Sequence, residues 1–588
     1  MGRRLLGAVL AVVTVLLAGL LAGCANIPEQ STPQAVGNVA QQPGAPAAPE
    51  AGLDPLTLVR RFVDLGGSPE TAKGYLTPAA QQKWPGDVTP TIIGETYGTG
   101  PIPAQELKAQ GDDGQGNEVT VVLSVTRLGR LDTVKSFAPI VDHKQFEYLV
   151  VVRRDNADAP WRIQTPPEDT VLIPLSKFNE SYMRVNAYFF DPAYRVTVPD
   201  LRYIPAQPVD GRPDRVMRAL LDGPSTSLAD AAVSALPLGA EMRTNAVLDA
   251  DGALVVNLTK LGDRTREERN FIAAQVVLTL QEVVKTKIRL LADSQPLING
   301  HADWRAPDVP AYDGQTRPNA ELTGLFTDPS GKVHSLRDGN PIQGPAGSGE
   351  IAVRSAAQSI EGKSLAVVRE VPAGVRLMVG GIGPGVALRE VDLPATSLTR
   401  PTWLLGGPGG NANEVWTVQN GTVVVRVVRG GNDNWAPSPV LSQELTRFGT
   451  ITELRLSRDG VRVLAVISGR VVVASVVRTN NTVAIRAPRE LRPGELTTVV
   501  GADWLNQETI VVATGQSGQP VVNVPVNGFE VNPYNSSNLG PPITSIAAAP
   551  DRAVLVTDSR GTWQATEVRE IWKLNSTPPA GAQPFYPG

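Results

Sequence analysis

The sequence predicts a multidomain chain: two consecutive α+β domains and a C-terminal all-β propeller, carried behind an export signal and a proline-rich tether. Apolar spacing is first helical and then strand-like between residues 53 and 180, and a second such mixture fills 181–305. From 306 onward, short β-branched runs recur with a fixed period. The length of 588 residues agrees with three or four domains at roughly 100–200 residues each. Hydrophobic residues at 42% and charged residues at 19% supply several cores and exclude a wholly disordered chain. Lys+Arg 54 against Asp+Glu 58 leaves no basic excess to pair with phosphates, so a nucleic-acid partner is not expected. One Cys excludes intrachain disulfides and a cysteine zinc site, and three His leave little imidazole; no metal and no cofactor is expected.

The first segment, 1–23, has the order of a signal peptide. Arg3 and Arg4 precede an uncharged apolar run at 5–21, and Leu21-Ala22-Gly23-Cys24 follows. A 17-residue run is short for a membrane span. Leu-Ala-Gly-Cys resembles a bacterial lipobox. That resemblance implies cleavage between Gly23 and Cys24, with Cys24 carrying an S-diacylglyceryl group and an N-acyl chain. The mature protein would then be lipid-anchored on the extracytoplasmic face of the plasma membrane. Residues 24–52 read as the tether. Pro28, Pro33, Pro43, Pro46 and Pro49 forbid a stable helix, and Glu29 and Glu50 are the only charges. As a coil this segment reaches roughly 30 Å.

In 53–180, Leu56, Val59, Phe62 and Val63 mark an amphipathic helix. Ser68-Pro69-Glu70 opens a second helix that turns Ala72, Tyr75 and Leu76 inward, stopped at Trp84-Pro85-Gly86. Residues 119–125, 146–152 and 161–163 then read as strands. Helices followed by a meander, with the phrase Tyr75-Leu76-Thr77-Pro78, resemble an NTF2-like domain. His143, in a polar stretch, is read as a surface residue.

In 181–305, two strands at 185–190 and 195–203 flank Asp191-Pro192, and Pro213-Asp214 starts a helix with Val216, Leu220 and Leu221 inward. Ala250-Asp251-Gly252 marks a hairpin. A long helix is expected over 264–287, with Glu267 and Glu268 at its start and Lys285 and Lys287 at its end, matching the helix dipole. The phrases Tyr188-Phe189-Phe190-Asp191, Leu220-Leu221-Asp222-Gly223-Pro224, Ala235-Leu236-Pro237, Val255-Val256-Asn257-Leu258 and Val277-Leu278-Thr279-Leu280 resemble, in order, the GerMN domain of spore-germination proteins. That resemblance implies a role in an envelope assembly without catalysis.

Region 306–588 repeats. Glu361, Asp459 and Asp551 stand in equivalent turns before apolar strands, and Trp403 and Trp504 lead the alternate units. A unit of roughly 48 residues with four short strands is a propeller blade, which predicts five or six blades, with a β-sandwich as the runner-up. The strand 322–326 is expected to close the ring.

Chemistry is sparse. Gly362-Lys363-Ser364 lacks the earlier glycine of a phosphate loop, since Ala357 stands there. Residues 380–385 read as a glycine-rich loop, and His301 and His334 as exposed. No Gly-x-Ser-x-Gly or His-Glu-x-x-His occurs; the chain is read as not an enzyme. Signal, NTF2-like region, GerMN domain and propeller in this order resemble the LpqB family of actinobacterial lipoproteins. That resemblance implies binding to the extracellular domain of a sensor histidine kinase, MtrB of the MtrA–MtrB two-component system, with influence on cell division and envelope homeostasis. Two other readings stay open: a lipoprotein that presents a cell-wall glycan or small molecule bound by the propeller, and, as the enzyme reading, an envelope hydrolase. Six of the nine Trp lie in the propeller. Trp435, between Asn432-Asp433-Asn434 and Ala436-Pro437, is expected to sit in a loop as a partner anchor.

Overall fold

A computed structural model describes residues 49–588, apart from 51, 85–88, 103–116, 141–143, 169–170, 194, 229, 310–311, 313–316, 406–411, 432–433 and 480–481. Gly23, Cys24 and His143 lie outside the described residues.

The first helix, α1 (Pro55–Asp64), begins where Asp54 caps it, its carboxylate accepting from the Leu56 and Thr57 amides at 3.0 and 3.1 Å. Its apolar stripe, Leu58, Val59, Phe62 and Val63, is buried. The second helix is shorter than the sequence predicts. α2 (Pro69–Lys73) ends early, and a separate α3 (Pro78–Lys83) follows. Pro78 is the reason, because it holds Thr77 extended. The amide of Thr77 and the carbonyl of Tyr75 then both bond Ile163 at 2.9 Å.

These helices cover a seven-stranded sheet: β1 (Pro90–Ile93), β2 (Gly98–Pro101), β3 (Glu118–Leu131), β4 (Phe137–Pro139), β5 (Gln145–Arg153), β6 (Arg162–Thr165) and β7 (Val171–Pro174). The order is β6-β5-β3-β1-β7, and the long β3 also pairs with β2 and β4. Val121, Leu123 and Val125, alternate residues of β3, are fully buried beneath the helices.

Helix α4 (Leu175–Ser181) leads into a hairpin of β8 (Tyr182–Phe190) and β9 (Thr197–Pro205). Its turn is fixed by Asp191, whose Oδ1 accepts from the amides of Arg195 and Val196 at 2.6 and 2.9 Å. After α5 (Arg212–Leu221) come β10 (Glu241–Met242), β11 (Val247–Leu248) and β12 (Leu254–Thr259). Helix α6 (Arg266–Leu280) crosses over to β13 (Ile288–Ala292), which runs parallel to β12; β14 (Gln295–Pro296) and β15 (Asp303–Trp304) complete the sheet.

Thr265 and Glu268 form a reciprocal capping box at the start of α6. The helix stops at Leu280, short of the predicted end, and its last turn carries no cation. The amides of Val283 and Val284 instead turn back on the Leu280 carbonyl. Lys287 leaves the helix and pairs with Asp303 at 2.8 Å, so it does not serve the helix dipole.

The C-terminal part holds six sheets. Five are four-stranded antiparallel blades, I to V, spanning 353–390, 402–439, 451–490, 499–533 and 545–575. The sixth combines β16 (Leu325–Thr327) and β17 (Val333–Ser335) with the strand Gln583–Phe585. The first strands of blades I to V and Gln583–Phe585 neighbour one another around a closed ring. The closing strand is therefore 325–327, slightly later than expected, and it joins the chain's last strand.

Trp403 of blade II donates its indole N–H to Ala357 of blade I at 3.0 Å, and Trp504 of blade IV does the same to Arg455 of blade III at 3.3 Å. The repeated tryptophans are thus inter-blade staples. Glu361, Asp459 and Asp551 lie between the first two strands of blades I, III and V. The glycine-rich reading at 380–385 is corrected in part. Gly380 and Gly381 end a strand of blade I, and a Cβ on Gly380 would lie 2.2 Å from the Ala387 carbonyl oxygen.

Candidate interaction surface and the three-domain junction

Strand β9 belongs to a sheet of only two strands, yet Thr197–Ile204 are all buried. A two-stranded ribbon cannot bury both faces alone; here three domains cover it. Val198 and Ile204 face the core of the second domain, which also takes in Val461 from a turn of blade III. Leu201 packs with blade III and IV residues such as Leu464 and Ile510. Tyr203 joins Phe137 and Phe178 of the N-terminal region and Phe529 of the propeller, with ring centroids 4.9–6.5 Å apart.

Most polar groups in this junction are matched, although Arg202 Nε, Arg489 Nε and Asn186 Oδ1 are buried without a hydrogen-bond partner. Arg202 is fully buried; it pairs with Asp200 at 2.7 Å and donates to the carbonyls of Gly223, at 2.7 Å, and Val134. Asp200 also accepts from the amide and hydroxyl of Ser225 at 2.7 and 2.9 Å. The Tyr203 amide reaches the Lys135 carbonyl at 2.9 Å, and Asn527 donates to its phenol oxygen at 3.2 Å. Burial pushes that phenol up to about 12. From the propeller, Arg462 pairs with Asp459 at 2.9 Å and donates to the Pro199 carbonyl at 2.5 Å. Burial pushes the Arg489 guanidinium down to about 10, and it donates to the Val526 carbonyl at 2.9 Å. Glu508 accepts from Arg184 at 2.8 Å and Asn186 at 2.7 Å, and Gln507 donates to the Thr197 carbonyl at 3.1 Å. A remaining cavity of about 20 Å³ lies among Asp200, Arg462, Arg489 and Asn527.

The axial channel of the propeller is also filled. Arg400, Arg455, Arg458 and Asp503 line a cavity of about 20 Å³. Arg458 donates to the Pro587 carbonyl at 3.2 Å, and the Gly588 amide to Gln358 at 2.9 Å. Small-molecule sites occupy about 300–1,000 Å³, so this cavity does not admit a sugar ring.

Among the described residues no three His, Cys, Asp or Glu side chains are grouped to hold a metal ion. His301 is exposed, edge-on to Trp304 at 4.1 Å. The exposed reading of His334 is corrected: it is half-buried, stacked on Phe326 at 5.1 Å and bonded to Asp328 and to the Gly339 carbonyl, each at 3.0 Å. Trp435 does not sit in a loop. It opens a strand, Trp435–Pro439, at the outer edge of blade II. It is half-buried, with its ring 5.9 Å from Trp403 at 77°.

The junction residues escaped sequence reading. Their one local signal is Asp200 and Arg202, opposite charges two apart within an apolar strand. No helix among the described residues is long and apolar enough to cross a membrane.

Fold and junction together define a class: a three-domain protein ending in a six-bladed propeller, with its modules locked by one buried hairpin. Family profiles resolve the class. Residues 48–179 match the lipoprotein LpqB N-terminal domain, 186–298 a domain described as sporulation and spore germination, and 331–587 the lipoprotein LpqB β-propeller domain. Lipoprotein LpqB of Nocardia farcinica is 31% identical, with 95% of this chain and 94% of that protein covered. The Rhodococcus opacus protein of the same name is 29% identical over 98% and 95%, and that of Mycobacterium tuberculosis 28% over 98% and 99%. The chain belongs to the lipoprotein LpqB family. A putative 6-phosphogluconolactonase from Bacteroides uniformis is similar over 45% of this chain at 10% identity, with a TM-score of 0.28.

Proposed function

We propose that this lipoprotein is anchored through Cys24 on the extracytoplasmic face of the plasma membrane. Its body binds the extracellular domain of a sensor histidine kinase of the MtrB kind. Binding biases the kinase's signalling, and through it cell division and envelope homeostasis. The observation that supports this reading most is the buried β8–β9 hairpin. It joins the three modules into one compact unit, so contact made by the propeller can be felt by the domain next to the anchor. A lipid and a tether confine that body near a membrane receptor and raise its effective concentration there. The body then shifts the receptor's equilibrium only through differential affinity for its states. The N-terminal region, three helices on a seven-stranded sheet, is read as NTF2-like and as a spacer rather than a catalyst.

Partner contact is assigned to the second domain and the propeller, with the half-exposed edge of Trp435 as an anchor. The test is retention of the purified sensor ectodomain by the mature lipidated chain. Specific retention, weakened by Trp435→Ala with unchanged melting, is the expected result. No retention removes the kinase reading. Unchanged retention with lowered stability makes Trp435 structural.

A further inference from the structure

We infer that a cationic groove on the N-terminal domain docks onto anionic phospholipid headgroups and fixes how the body stands on the membrane. This inference rests on the lipid-anchoring reading. The groove measures about 580 Å³ and runs between α3 and the ends of β5 and β6. Lys83, Arg153, Arg154 and Arg162 line it, against a single acid, Asp155. Lys83 and Arg153 are exposed, and no described carboxylate pairs with Lys83, Arg153 or Arg162. The two half-buried arginines are held by the fold. Arg154 donates to the Ala157 carbonyl at 3.0 Å and lies 4.6 Å over the Trp161 ring, and Arg162 donates to the Gly74 carbonyl. Arg162 is thereby oriented in the groove with no described carboxylate paired to it.

A larger groove of about 980 Å³ on the second domain differs in this respect. It contains Asp263 and Asp293 beside its three arginines, and Arg264 is paired with Glu268 at 3.1 Å. Of these two grooves, the N-terminal one joins a concave surface to three cations, Lys83, Arg153 and Arg162, that no described carboxylate pairs with. It also lies in the first folded domain after the tether, and none of its residues takes part in the three-domain junction. An anionic headgroup surface supplies the matching charge. Two points of attachment, lipid and groove, set an orientation that the lipid alone leaves free.

The test uses the full lipidated chain in phosphatidylcholine vesicles with or without phosphatidylglycerol, read by amide hydrogen exchange. Exchange across 77–84 and 153–165 should slow on the anionic vesicles, while exchange in the junction strand 197–205 stays the same. Lys83→Gln and Arg153→Gln should each weaken docking about fivefold, the share expected of one cation near a charged membrane. Equal exchange on both vesicles overturns the proposal, as does full protection in the double variant. Protection on neutral vesicles by dissolved inorganic phosphate assigns the groove to a free anion and also overturns it. A chain that sediments with neither vesicle overturns the anchoring reading, and this inference with it.

Discussion

Arg202 shows how much one side chain of this protein carries. Its charge has no access to water and is met by Asp200 and two carbonyls from different domains. Removing one member of such a pair strands the other, at a cost of about 3–5 kcal/mol. Arg202→Met should therefore lower the denaturation midpoint sharply, and adding Asp200→Leu should restore part of the loss in equilibrium unfolding. Asp303 tests the opposite setting. Hydrogen bonds from Arg289 and then Lys287 hold its carboxyl below the usual carboxylate range. A group with a lowered folded pKa stabilises the protein above its unfolded value, near about 3.9, and loses that contribution as pH falls through the folded value. Asp303→Asn should flatten the acid limb of the stability profile and leave the alkaline limb unchanged, as melting temperature against pH would show.

At the scale of elements, Trp403 and Trp504 perform one task at two places, each bonding the preceding blade's inner strand. Trp403→Phe and Trp504→Phe should cost similar amounts, about 1–3 kcal/mol each, because each leaves a buried carbonyl unpaired. Denaturant titration of the two variants checks this; very unequal losses would show that the blades are not equivalent. This repetition was legible in the sequence because a blade is a local unit whose turn acids and tryptophans recur at a fixed period. The end of α6 was not. Its apolar spacing continues through Val283, but the chain leaves the helix at Leu280, and Lys287 is drawn to Asp303. The junction was legible least of all. Arg202 and Val134, or Arg462 and Pro199, meet across distances in the sequence that no periodicity encodes, and a buried charge in a strand reads locally as an exception rather than a site.

For the whole molecule, the shared hairpin makes stability a joint property of the domains. An isolated propeller, 306–588, retains every blade, but Val461 loses its apolar cover and Arg462 its Pro199 acceptor. It should fold by circular dichroism yet melt below the intact body, and calorimetry of the intact protein should show propeller and second domain unfolding in one transition. Two resolved transitions would mean that the junction does not couple them. The anchor has its own test. Cys24→Ala removes the only thiol of the chain, so the variant should remain an uncleaved precursor without lipid by mass spectrometry.

The sixth blade imposes an order on the making of the molecule. Its middle strand, Leu325–Thr327, is the first of the propeller to be synthesised, and its partner, Gln583–Phe585, is the last. The ring therefore stays open until the ribosome has finished the whole domain, with an unpaired strand edge waiting throughout. Such an edge invites pairing with foreign strands. The vulnerable interval of this protein's life is thus its birth, and a truncation that removes only its final residues would prolong that interval indefinitely, delivering an open ring to proteases.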